Sequence, residues 1–192
     1  MVRDDLSDRL IHLTRGTSTE AGQNREEAIK NLESILDDST LKGGDGFIKG
    51  KYVCTCFSEV PVSKLPYILA HPTTHHFKYE PYGVMVDKRW LFQLGGRPVI
   101  YGPEDDYNAL PEDMKYRHVR FHLDKPGDVD FTWEREWRLR TDALTLDPAK
   151  VTVILPDRSA RDAFANKFKD KWHYLVLSDL GVPIPALLDG KK

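Results

Sequence analysis

The apolar residues of this sequence come in short runs, and this pattern limits the folds that the chain can adopt. Short segments rich in β-forming residues predict strands. They are residues 10–14, 51–58, 82–86, 98–101, 118–123, 135–140, 151–155 and 173–177. Because only two segments carry the apolar stripe of a well-formed helix, the pattern predicts an α+β fold rather than a wound βαβ sheet.

The helices are predicted from apolar spacing together with capping signals. Asn24 and Glu27 form a capping-box pattern in front of the first apolar stripe. Ser159 and Asp162 are expected to cap the last helix. Helices are therefore predicted at residues 25–38, 63–71, 88–94 and 160–171.

Length and charge narrow the class of protein. The chain has 192 residues, of which 40% are hydrophobic and 30% charged, so we expect one domain over residues 1–192. Lys and Arg together number 28, against 30 for Asp and Glu. The basic excess typical of a protein that coats nucleic acid is therefore missing.

Cysteine usage and hydropathy indicate the cellular compartment. A disulfide between Cys54 and Cys56 would close almost no loop, so a disulfide-stabilised secreted fold is excluded. We expect both cysteines to be small core residues. The first residues are charged, and the apolar runs are far too short to span a membrane. We therefore expect a cytoplasmic protein without a membrane partner.

A charged cluster near residue 136 is the first candidate for chemistry. If Trp133–Arg140 is a strand, Glu134, Glu136, Arg138 and Arg140 share one face. Such a face is either a solvated surface of alternating sign or a site in which Arg keeps a carboxylate ionised. An ionised carboxylate can stabilise positive charge that develops during a reaction.

Two further segments carry candidate polar groups. His12 lies in the strand predicted at residues 10–14, where a lone histidine is most often a hydrogen-bonded structural residue. Ser58 and Glu59 close the strand predicted at residues 51–58, where a hydroxyl and a carboxylate commonly make local turn contacts. The order of these segments along the chain is more informative than any one of them.

In this order the segments resemble the ADP-ribosyltransferase superfamily. More narrowly, the chain is similar to abortive-infection proteins of the AbiGi type, which act in bacterial phage defence, and more loosely to DarT-like toxins. The similarity covers residues 10 to about 155. Its motifs are His12-x-Thr14, Cys56-Phe57-Ser58-Glu59-Val60-Pro61, Tyr82-Gly83-Val84 followed by Lys88, Arg97-Pro98-Val99-Ile100-Tyr101, and Glu134-Arg135-Glu136-Trp137-Arg138.

The resemblance implies a split pair of antiparallel β-sheets, flanked by a few helices, with NAD bound as substrate in the central cleft. It implies that His12 and Ser58 contact NAD and that Glu136 is the catalytic carboxylate. It also implies that the chain runs past the nicotinamide and the pyrophosphate of NAD at Thr14 and Arg15. Glu134, Arg138 and Glu59 would support the site or face the acceptor. Breaking the nicotinamide–ribose bond creates an oxocarbenium-like centre and needs no metal.

The sequence leaves three functions open. The first is an enzyme that transfers ADP-ribose to an unknown acceptor, which is protein, RNA, DNA or water. The second is a catalytically silent relative that binds a cognate toxin or antitoxin partner. The third is a metal-dependent hydrolase or nuclease, because His71 and His75, and likewise His118 and His122, have the spacing of helical metal ligands.

Overall fold

The computed structural model describes residues 7–19, 22–65, 69, 79–123 and 130–181. Its strands are β1 (Arg9–Leu13), β2 (Ser18–Thr19), β3 (Gly22–Gln23), β4 (Thr40–Lys42), β5 (Cys54–Ser58), β6 (Gly83–Asp87), β7 (Arg97–Pro98), β8 (Ile100–Gly102), β9 (His118–Arg120), β10 (Glu136–Arg140), β11 (Ala143–Thr145), β12 (Val151–Leu155) and β13 (His173–Val176). Its α-helices are α1 (Arg25–Asp37), α2 (Lys88–Gln93), α3 (Asp106–Ala109) and α4 (Arg158–Phe168). Short 3₁₀ turns lie at Val62–Lys64, Lys115–Arg117, Thr132–Glu134 and Leu177–Leu180.

Seven of these strands form one main sheet, in the order β13-β12-β6-β1-β5-β10-β7. All neighbours in it are antiparallel except β12 and β13, which are parallel and are joined through α4. Three two-stranded sheets pair β11 with β4, β2 with β3, and β8 with β9. The predicted α+β class is confirmed, with one βαβ unit at its C-terminal edge that the sequence pattern did not reveal.

The main sheet is narrowly joined between β1 and β5. β1 pairs with β6 at five positions, and β5 pairs with β10 at five positions. Between β1 and β5 one pair is formed, Ile11 with Ser58. We call this junction the seam. It divides the sheet into a four-stranded part that ends at β1 and a three-stranded part that begins at β5.

The two faces of the main sheet differ in what covers them. Helix α1 buries Ala28, Leu32 and Leu36 against one face, which we call the core face. Strand residues buried on this side include Leu10, Phe57, Val84, Val86, Trp137, Leu139 and Val153. The other face, which we call the outer face, carries a smaller cluster of Ile11, Leu65, Ile154 and Leu177.

Helix capping is predicted correctly for α1 and wrongly for α4. The side chain of Asn24 accepts the Glu27 N–H, as the capping pattern predicts. Helix α4 begins earlier than expected, because the side chain of Asp157 rather than that of Ser159 or Asp162 caps it and accepts the N–H of Ala160 in the first turn.

The strand predicted around Glu136 is shorter in the structure. Glu134 belongs to a 3₁₀ turn rather than to β10, because Arg135 has a left-handed backbone (φ 46°) that ends the strand pairing. The helix predicted at residues 63–71 begins with the 3₁₀ turn at Val62–Lys64, and most of its remaining residues lie outside the described part of the chain.

No helix among the described residues is both long enough and apolar enough to cross a membrane.

Gly83 allows β6 to lie close to β1 beside the seam. A Cβ at this position would lie 2.2 Å from the backbone oxygen of His12. We expect Gly83→Ala to lower the free energy of unfolding by about 1–3 kcal/mol, because the strands must separate to admit the methyl group. Gly46→Ala is the control, since a Cβ there meets nothing within 4 Å. Equal denaturant midpoints for the two variants would contradict this account.

Candidate functional site

A cavity of about 980 Å³ lies at the seam. Its volume is at the upper end of the range for small-molecule sites. Of the candidates named from the sequence, His12, Thr14, Arg15, Ser58, Glu134, Glu136 and Arg138 line it. The fold thus brings seven of the eight candidates together, although up to 126 sequence positions separate them.

The eighth candidate, Glu59, lies elsewhere. Its carboxylate accepts hydrogen bonds from Lys88 Nζ at 2.9 Å and from Trp137 Nε1 at 2.8 Å. It is not among the described residues that line the cavity. Glu59 is therefore held in a structural ion pair.

The lining residues come from both faces of the sheet. Ile11 pairs with Ser58, and Ser58 pairs with Glu136, so these three side chains lie on the outer face. His12 follows Ile11 on β1 and therefore points to the core face. The cavity reaches both faces at the seam, where β1 and β5 pair at one position.

Glu136 is fixed by a two-pronged ion pair. Arg138 Nε donates to one carboxylate oxygen at 2.8 Å, and Nη2 donates to the other at 3.1 Å. The Glu136 side chain is 13% exposed and that of Arg138 is 7% exposed. The remaining guanidinium nitrogen donates to the carbonyls of Tyr116 and His118. Glu136 is thus a largely buried carboxylate with a fixed orientation.

The backbone before Glu136 bends sharply and is held by the end of β5. The Ser58 hydroxyl donates to the Glu134 carbonyl, and the Glu59 N–H donates to the Arg135 carbonyl at 3.1 Å. The left-handed conformation of Arg135 makes this bend. The hydroxyl proton of Ser58 is therefore used to hold the backbone that carries both glutamates.

His12 bridges the two strands at the seam. Its Nδ1 donates to the Cys56 carbonyl at 2.8 Å, and its ring meets Phe57 edge to face at 5.9 Å. Burial lowers the pKa of His12, and the nearby charge of Arg15 acts in the same direction. The neutral ring, with its proton on Nδ1, therefore keeps the lone pair of Nε2 as a hydrogen-bond acceptor.

Thr14 and Arg15 follow β1 along the cavity wall. The Thr14 hydroxyl is buried and donates to the Tyr82 carbonyl at 3.0 Å. Arg15 is exposed, and its backbone carbonyl accepts a hydrogen bond from Asn31 Nδ2 at 2.9 Å, which ties this segment to α1. Arg15 is the cation that this part of the wall offers to a ligand.

Two tyrosines near the glutamates were missed by sequence reasoning. Tyr79 lines the cavity, and burial together with the charges of Glu134 and Glu136 raises its pKa. Tyr101 accepts the Glu136 N–H at 3.1 Å and donates to the Phe131 carbonyl at 3.2 Å. Burial is the main cause that raises the pKa of Tyr101 to about 12. Tyr101 ends the motif that begins at Arg97, but the sequence pattern does not predict that its hydroxyl contacts Glu136.

Both cysteines line the cavity. Cys54 packs with Ile48 and Tyr116, in agreement with the expected core role. Burial raises the pKa of Cys54 to about 11, and burial with the negative charge of Glu136 raises that of Cys56 further. The thiols are therefore neutral near pH 7, and neither is an activated nucleophile.

The histidines considered as metal ligands divide into two groups. Those at positions 71 and 75 lie outside the described residues. His118 is buried, and its Nε2 donates to the Pro103 carbonyl at 3.0 Å. Across the part of the chain that the structure describes, no group of three or more His, Cys, Asp or Glu could hold a metal ion.

Comparisons of the chain with models of known protein families, with curated proteins and with solved structures found no match. Function is therefore inferred from the cavity and from the residues that line it.

The depressed pKa of His12 predicts a pH dependence of stability. The unfolded chain takes up a proton near pH 6.5, whereas the folded chain does so at lower pH. The contribution of His12 to stability is therefore complete above about pH 6.5 and is lost as the pH falls, by no more than about 1.4 kcal/mol per pH unit. Between pH 7.5 and 5.5, His12→Asn should lose less unfolding free energy than the parent in urea titrations. Equal losses would show that His12 titrates normally.

Proposed function

We propose that the protein binds NAD in the seam cavity, cleaves the nicotinamide–ribose bond and transfers ADP-ribose to a macromolecule or to water. Bacterial phage defence, of the toxin–antitoxin type, is the proposed setting, and the cytoplasm is the proposed location. The observation that carries this proposal is the fixed carboxylate of Glu136 on the wall of the cavity that His12 also lines.

The carboxylate suits glycosidic cleavage of a cationic leaving group. Positive charge develops on the ribose as the bond breaks, and a fixed negative charge stabilises it. Nicotinamide leaves as a neutral molecule, so neither a general acid nor a metal is required. Each oxygen of Glu136 accepts one hydrogen bond from Arg138 and has a further lone pair for a ribose hydroxyl.

The other lining residues have groups that match the rest of NAD. The Nε2 atom of His12 accepts a hydrogen bond from a ribose hydroxyl, and Arg15 offers a cation to the pyrophosphate. Ser58 acts through the backbone of Glu134, so we assign it to positioning rather than to direct contact with the ribose. Glu134, next to this contact, faces the acceptor in this proposal.

The seam supports an ADP-ribosyltransferase-like arrangement of the sheet. Such a fold holds NAD between two antiparallel sheets. Here the four-stranded and three-stranded parts of the main sheet share one paired position, and the cavity opens beside it. We therefore propose that these two parts correspond to the two sheets of that fold.

A catalytically silent relative is the second candidate, and one observation favours it. Both oxygens of Glu136 already accept hydrogen bonds from Arg138 within the protein. A carboxylate whose sole role is to pair with Arg138 would make the same two hydrogen bonds. In that case the protein would act by binding a cognate toxin or antitoxin.

Glu136→Gln tests the catalytic role. The change keeps the size of the side chain and removes its charge, so nicotinamide release from NAD should fall about 10²–10³-fold. The affinity for NAD should change far less, because the positive charge that Glu136 meets develops during bond cleavage. Nicotinamide is measured by chromatography, and NAD affinity is measured by calorimetry on the same samples.

Glu59→Gln is the matched control for this experiment. Glu59 is also 13% exposed and also pairs with a cation, Lys88, but it does not line the cavity. We expect this variant to lose stability while it keeps nicotinamide release. If Glu59→Gln loses release and Glu136→Gln keeps it, the catalytic carboxylate is Glu59. If the parent binds NAD but releases no nicotinamide with any acceptor, the silent relative is the correct description.

A further inference from the structure

Thr55 carries a buried hydroxyl that the protein leaves unpaired. The residue lies on β5, is 1% exposed and lines the cavity. Its Oγ1 has no hydrogen-bond partner among the described residues. A buried hydroxyl without a partner destabilises the protein, so its place in a cavity wall points to a ligand that supplies the partner.

Two other hydroxyls of this wall, one buried and one half-buried, do not share this property. Thr14 donates to the Tyr82 carbonyl, and Ser58 donates to the Glu134 carbonyl. Both hydroxyls therefore have partners within the protein. Thr55 differs from them in having a buried hydroxyl without a partner among the described residues.

Thr55 faces the opposite side of the sheet from Glu136. Thr55 pairs with Leu139 and lies on the core face, whereas Glu136 lies on the outer face. On the core side the cavity is lined by the apolar side chains of Ile35, Leu41 and Phe57. On this side Thr55 places a hydroxyl beside apolar side chains, and α1 and β4 add the polar lining residues Asn31, Ser34 and Thr40.

We propose that Thr55 belongs to a purine subsite, in which the adenine ring of NAD packs against Ile35 and Leu41 and bonds to the Thr55 hydroxyl. The proposal rests on the proposed function. A purine has extensive apolar ring faces together with edge nitrogens that accept hydrogen bonds and an amine that donates them. A hydroxyl both donates and accepts, so it can satisfy this edge. Nicotinamide would then lie across the seam, beside Glu136.

Thr55→Val tests the subsite, because valine has nearly the same shape and lacks the hydroxyl. The melting temperature of the free protein should rise or stay the same, since an unpaired buried group is removed. The affinity for ADP-ribose and for AMP should fall about 3–10-fold in calorimetry, as expected for one lost hydrogen bond. Nicotinamide mononucleotide should bind the variant and the parent equally.

Three variants serve as controls. Thr14→Val should lower the melting temperature, because the Thr14 hydroxyl is paired. Thr152→Val, on β12 and away from the cavity, should leave AMP affinity unchanged. Thr55→Ser keeps the hydroxyl and should keep AMP affinity, which separates the hydroxyl from a general effect of altering β5.

The outcomes separate this inference from the proposed function. Equal AMP affinity for Thr55→Val and the parent overturns the subsite, as does a loss seen with nicotinamide mononucleotide alone. A parent that does not bind AMP also overturns it. If AMP affinity falls in Thr55→Val while the parent releases no nicotinamide, the subsite stands and the proposed cleavage fails. If the parent releases nicotinamide with an unchanged KM in Thr55→Val, the cleavage stands and the subsite fails.

Discussion

The buried guanidinium of Arg138 joins β10 to the segment that precedes and begins β9. It donates to both oxygens of Glu136 and to the carbonyls of Tyr116 and His118. Because arginine stays charged, its burial requires a carboxylate in contact, and removing one partner of such a pair costs about 3–5 kcal/mol. The interaction that packs this region therefore also fixes a negative charge in the cavity wall. In the proposed mechanism, the stability of this region and the cleavage of NAD therefore depend on the same pair.

The end of β5 contributes to the cavity mainly by holding other residues. The Ser58 hydroxyl and the Glu59 N–H bind the two carbonyls of the bend, while the Glu59 side chain binds Lys88 and Trp137. Both residues belong to a motif that the resemblance associates with the site. The contacts indicate that such a motif need not supply groups that touch the substrate, because orientation of the neighbouring strand is itself a requirement for catalysis.

Local signals predict the elements, and long-range contacts determine the site. The Asn24 cap follows from a pattern within four residues and is confirmed. The bend at Glu134 is not predicted, because it depends on a left-handed Arg135 and on Ser58, which is 76 positions away. The unpaired hydroxyl of Thr55 is likewise invisible in the sequence, where a threonine in a strand is ordinary. The family resemblance predicted that the candidate site residues lie around one cavity. The hydrophobic periodicity of their segments did not predict this.

The seam has a consequence for how the molecule unfolds. Two parts of a sheet that share one paired position gain little from each other through backbone hydrogen bonds, and their cooperation depends on the side chains packed across the junction. A small molecule that contacts both parts would act as a removable cross-link. Binding would raise the free energy of unfolding by an amount that grows with the ratio of free ligand to Kd, so the lifetime of the protein would follow the concentration of its ligand.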